Sequence, residues 1–162
     1  MRIEFEVIGQ PATQGSKVPQ LIRRKGGVPV LDGRNNPLVV VREHSPKTAV
    51  WRQQVAAAAR EAYNGELLTC PVRLRLQFVR PRPASHFGSG RNAKRLKASA
   101  PLLPTAKPDT LKLARAVEDA LTGVVWRDDS QVCQHELMKS YGPYFTVKVL
   151  IETLEDDPRS DG

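Results

Sequence analysis

Three carboxylates carry the chemistry on offer in this chain. Asp109 opens residues 107–132, a stretch that reads as a short helix with a return loop, and Asp128 and Asp129 close it. Aspartate oxygens are hard ligands suited to Mg²⁺ or Mn²⁺. Phosphodiester hydrolysis at a metal site needs such ligands, together with a cation that takes up charge on the scissile phosphate. Lys112 and Arg115 lie between the acids and suit the phosphate. Aspartates also cap helices and close turns, so the spacing alone leaves two readings open, a metal site and a set of local caps.

The elements that position these groups follow from periodicity. At the 100° step of a helix, Leu113, Ala116, Val117, Ala120, Leu121 and Val124 share one face. The other face carries Lys112, Arg115, Glu118, Asp119 and Thr122, with Leu111 as an apolar residue among charges. Gly123 is a helix stop, and Val124-Val125-Trp126-Arg127 is expected to return the chain so that Asp128 and Asp129 approach the helix start. Asp119 lies ten residues beyond Asp109, about 15 Å along a helix axis, too far to share one ion, and is assigned a structural role.

Around this stretch, residues 2–8 and 72–79 alternate apolar and polar side chains as half-buried strands do. Residues 19–42 contain turns at Gly26-Gly27 and Asp32-Gly33 and read as a hairpin or meander. Its Arg23, Arg24, Lys25, Arg34 and Arg42 face a single acid, Asp32, leaving a solvated face and a phosphate-contacting hairpin as equal alternatives. Ser45-Pro46 and Asn64-Gly65 bracket a helix that buries Trp51 and an alanine run. Residues 132–139 and 145–153 read as two strands, joined at Tyr141-Gly142-Pro143 into a hairpin.

Residues 80–106 form the longest irregular segment, and no acid occurs between Glu66 and Asp109. Arg80, Arg82, Arg91, Lys94, Arg95, Lys97 and Lys107 suit a flexible arm that closes on a phosphate backbone. The chain of 162 residues is expected to form one α+β domain over residues 1–154: a mixed sheet packed by two main helices, a long basic loop, and a fraying acidic tail at 155–162. Its formal charge of +8 points to a polyanion, with nucleic acid ahead of a membrane surface. No aromatic-rich RNA-recognition motif is present. The alternating N-terminus lacks a signal peptide's apolar core, no apolar run reaches the ~18 residues of a spanning helix, and a cytoplasmic protein is expected. Cys70 and Cys133 fit no disulfide framework or metal spacing and are expected to be reduced core thiols.

Lys107-Pro108-Asp109, the Ala116-Val117-x-Asp119-Ala120-Leu121 run, Asp128-Asp129-x-Gln131-Val132 and Lys139-x-Tyr141-Gly142 together resemble the RusA family of Holliday-junction resolvases. Gly9-x-Pro11 and Gly15-Ser16-Lys17 resemble its phage and prophage members. The resemblance implies a homodimeric α+β endonuclease that cuts paired strands of four-way DNA junctions with Mg²⁺, for which Mn²⁺ can substitute. It implies Asp109, Asp128 and Asp129 as metal ligands, with Asp109, Asp129 and Arg115 at the chemistry. Lys17, Lys112 and the basic residues of 80–107 would contact DNA. Two positions depart from the family pattern. Leu111 stands where a second acid is usual, and Arg115 where a lysine is usual. Leucine cannot ligate a cation, so the alternative implied function is a junction-binding protein with impaired catalysis.

Overall fold

The computed structural model describes residues 1–13, 18–42 and 46–154. Lys17, the Ser45 cap and the tail at 155–162 lie outside the described residues. Four strands form the main sheet: β1 (Arg2–Ile8), β4 (Val72–Arg80), β5 (Val132–Tyr141) and β6 (Thr146–Thr153). Their spatial order is β1-β6-β4-β5, with β6 antiparallel to both β1 and β4, and β5 parallel to β4. Two helices complete the domain, α1 (Pro46–Ala62) and α2 (Thr110–Leu121). The mixed sheet with two helices is the α+β architecture expected from the sequence.

The expected hairpin between the last two strands does not form. β4 lies between β5 and β6 and bonds to both. It buries more apolar side chains than any other described strand, namely Val72, Leu74, Leu76, Phe78 and Val79. Placing it at the centre removes the most apolar surface from water and pushes the polar β5 to the edge. The connection from β4 through α2 to β5 is thus a parallel crossover.

The core lies between one sheet face and the helices. Val55, Ala59, Leu74, Leu76, Val117, Leu121, Trp126 and Val149 are essentially fully buried there. Trp51 belongs to this core as expected, at 2% exposure. The α2 face projected from sequence is buried from Leu113 to Leu121, while Val124 lies past the helix end and is half-buried, and Asp119 pairs with Arg52 of α1, which ties the helices together as a structural residue would. Cys133 corrects an expectation: it is exposed on the edge strand, while Cys70 is half-buried.

On the opposite sheet face Arg73 bonds Gln134 and pairs with Glu152, and Arg75 pairs with Glu136. These two arginines of the basic run are therefore matched across strands. Residues 18–42 form the expected meander, in which β2 (Val18–Leu21) pairs with β3 (Val39–Arg42) and two isolated bridges join the strand-like segments between them. Asp32 closes one turn by accepting from the amides of Arg34 and Asn36, each at 2.8 Å.

Candidate functional site

The crossover fixes where the acids stand. A helix that links two parallel strands runs against them, so α2 begins beside the C-terminal ends of β4 and β5 and ends beside their N-terminal ends. Asp109 is the N-cap of α2: its Oδ1 accepts from the amide of Lys112 at 2.8 Å, and Lys112 Nζ lies 3.7 Å from Oδ2. The turn before it rests on cations at the ends of the two strands. Lys139 Nζ donates to the carbonyls of Ala106 and Pro108 at 3.1 and 3.2 Å, and Arg80 Nη1 donates to that of Lys107 at 3.3 Å. A cleft beside this turn is lined by Gln10, Phe78, Arg80, Lys107, Leu113 and Lys139, among others.

The second acidic group is held locally. After α2, Gly123 takes φ 75°, a left-handed conformation that glycine adopts without a steric cost, and the chain turns into β5. Asp128 caps a short 3-10 turn, Asp129–Gln131, and its Oδ1 accepts from the amide of Ser130 at 2.9 Å. Gln131 closes the reciprocal half. Its Oε1 accepts from the amides of Arg127 and Asp128, and its Nε2 donates to the carbonyls of Leu68 and Cys70. Hydrogen bonds from the Ser130 hydroxyl and then the Ser130 amide hold the Asp128 carboxyl below the usual aspartate range. Asp129 is exposed beside it.

The expected approach of Asp128 and Asp129 to the helix start does not occur within one chain. Lys139, beside the start of α2, pairs in register with Phe78, whereas Val132, directly after the 3-10 turn, pairs with Val72. The two acidic groups thus stand at opposite ends of a 12-residue helix, about 18 Å long. The parallel crossover is the cause, because the chain must travel the full length of α2 before it can enter β5 in the same direction as β4. Among the described residues, no group of three or more His, Cys, Asp or Glu side chains could hold a metal ion. Asp109, Asp128 and Asp129 of a single chain therefore do not form one Mg²⁺ site by themselves.

The cations divide into two groups. Besides Arg80, Arg82 donates to the Pro101 carbonyl and stacks 4.2 Å over the Tyr141 ring, and Lys97 donates to the Ser85 carbonyl. These three, read from sequence as DNA contacts, brace the long loop. The loop is folded back on itself, with Phe87 bridging Leu96 and the Lys97 amide donating to the His86 carbonyl. Among the described residues the side chains of Arg91, Lys94, Arg95, Lys107 and Arg115 are exposed and carry no ion pair. Leu111, in the first turn of α2, is 72% exposed. Gln131 is a site residue that chemical type alone overlooks. The spacing Asp128-x-x-Gln131 is a capping-box signature that marks it in the sequence.

Two comparisons bear on these residues. Residues 32–152, which contain both acidic groups, match the family described as Endodeoxyribonuclease RusA. Over 150 residues the chain is 33% identical to the uncharacterized protein YqaN of Bacillus subtilis (strain 168), covering 92% of this chain and 94% of that one.

Proposed function

The chain belongs to the RusA family of endodeoxyribonucleases, and on that footing we propose that it is a homodimeric, divalent-cation-dependent nuclease that resolves four-way DNA junctions by paired cuts. The observation that carries the reading is the placement of Asp109 and the Asp128-Asp129 pair, all exposed, at opposite ends of α2. An acid set divided in this way becomes one site when a second copy brings its Asp129 to the first copy's Asp109. Two-fold symmetry then creates two equal sites, as paired cutting requires.

Asp109 and Asp129, with Asp128 beside the latter, would hold Mg²⁺ or Mn²⁺. Bound there, the cation would activate a water and offset charge on the scissile phosphate. The exposed Arg115 guanidinium stands two turns or less from Asp109 and can clamp that phosphate in a bidentate fashion. As it remains protonated, its part is electrostatic. Arg91, Lys94 and Arg95 present free cations to the junction arms, which makes affinity fall with salt. No described helix is long and apolar enough to cross a membrane. A recombination intermediate in the cytoplasm of a bacterial or phage-infected cell is the substrate this reading assigns.

The test is cleavage of a synthetic four-way junction with and without Mg²⁺ or Mn²⁺. It is paired with a mixing experiment in which Asp109→Asn chains are combined with Asp129→Asn chains. Each variant alone should bind and not cut. Mixed dimers regain one intact site and nick one strand. Recovery of cutting is expected; its absence, with mixed dimers demonstrated, would overturn the shared site. Wild-type protein that binds junctions and cuts with neither cation would leave the binding reading in its place.

A further inference from the structure

Three consecutive carbonyls, those of Ala106, Lys107 and Pro108, are held by Arg80 and Lys139, which come from the adjoining ends of two parallel strands. The residue that follows this triplet is Asp109. Arg80 and Lys139 are 27 and 31 residues or more from the carbonyls they hold, so the contact joins the sheet to the turn and is not a local one. We infer that Lys139, assisted by Arg80, is the positioning device for Asp109: it fixes the turn at 106–108 and thereby aims the first carboxylate of the proposed site. This rests on the nuclease reading for its purpose but not for its geometry.

The chemistry of the two side chains fits this role. An ammonium presents three donors around one point, and Lys139 directs two of them at carbonyls on either side of Lys107. The side chain itself is partly buried between the sheet end and the turn. A hydrogen bond to an ionised donor is stronger than one between neutral groups, and partial burial shields it from water. The strand end that carries Lys139 is fixed in turn. The Gly142 amide donates to the Arg80 carbonyl, and a Cβ at Gly142 would come within 2.4 Å of Val79. A larger residue there would have to displace the Val79 side chain. The Asp109 carboxylate is further restrained by the bond it accepts from the Lys112 amide and by Lys112 Nζ, 3.7 Å from Oδ2. That amide is a direct reporter of the carboxylate's position.

The experiment compares wild type, Lys139→Met and Lys139→Arg by amide hydrogen exchange in the absence of divalent cations, followed by junction binding and cleavage. In Lys139→Met the Lys112 amide should exchange about tenfold faster or more, while protection in α1 and β4 stays unchanged. Junction affinity should remain within about twofold of wild type and kcat should fall about 10- to 100-fold, the scale of a lost supporting contact. Lys139→Arg, which keeps the donors, should recover most of both effects. Unchanged protection at Lys112 overturns the inference, as does a loss of protection spread across the whole sheet, which would mean general destabilisation. If wild type itself does not cut, the nuclease reading fails, yet the exchange result still decides whether Lys139 holds Asp109.

Discussion

The two ends of α2 present carboxylates by opposite means. At the C-terminal end Asp128, Ser130 and Gln131 arrange one another within four residues, and Gln131, with the neighbouring Arg127 amide, reaches back to the segment leading into β4. At the N-terminal end the local part is one capping bond at Asp109, and the turn before it depends on Lys139 and Arg80 from strand ends far along the chain. A local device forms as soon as its few residues take their turn, whereas the distant one exists only after the sheet has assembled. An acid held by the first should keep its geometry when neighbouring strands are perturbed. An acid held by the second should not.

The largest effect expected on this contrast is equal failure at both ends. Asp109→Asn and Asp129→Asn should each reduce junction cleavage by roughly 10³-fold or more with binding retained, because each removes a charge from the same proposed site. Unequal losses of more than about 100-fold between the two variants would show that the ends do not share one centre, since each should then behave as its own partial site. Next in size is a gain. Leu111→Asp places an acid where the resemblance to the family implies one, on a residue 72% exposed in the first turn of α2. The helix N-terminus favours a negative charge there, so folding should not suffer. The variant should need about tenfold less Mn²⁺ for half-maximal cleavage, as two carboxylates on one turn hold a cation better than one. No change in the Mn²⁺ requirement would place Leu111 outside the metal's reach.

Gln131→Ala sharpens the comparison at the local end. It removes the Gln131 partner of the Asp128 amide and the Cys70 carbonyl, while the Arg127 amide and the Leu68 carbonyl keep their bond to each other, and a loss of about 2 kcal/mol in unfolding free energy is expected from denaturant titration. Its effect on the Lys112 amide should be negligible, because that amide belongs to the other end. The smallest effect is in the titration of Asp128. Its folded carboxyl is held below the ordinary value, so the contribution to stability is present above the unfolded pKa and is lost as pH falls through the folded one. In cation-free buffer, carboxyl NMR should place its midpoint below 3.8, with Ser130→Ala moving it up towards that value. A midpoint at or above 3.8 in the wild type would contradict the hydrogen bonds drawn at that turn.

Much of the site was readable before folding was considered. The strands at 2–8 and 72–79, the apolar face of α2 and its glycine stop are matters of period and local conformation, and Lys112 and Arg115 stand on the polar side as projected. Leu111 was visible as an apolar residue on that face, and it is exposed. The charge of the long loop was legible, and its internal braces were not. Its positive residues read as one DNA-contacting set, but Arg80, Arg82 and Lys97 are engaged with carbonyls of their own chain. Nothing in one-dimensional spacing separates a cation that faces solvent from one that braces a loop.

By itself the sequence determined which residues could ligate, which could bind phosphate and which faces would be buried, because these depend on side-chain chemistry and a period of two or 3.6 residues. Only the tertiary structure decided that β4 enters between β5 and β6, because strand order follows from competition among apolar surfaces that neighbours in sequence do not reveal. That single choice makes the crossover parallel. It carries Asp129 to the far end of α2 from Asp109, and it brings Lys139 beside Arg80 under the turn that Asp109 follows.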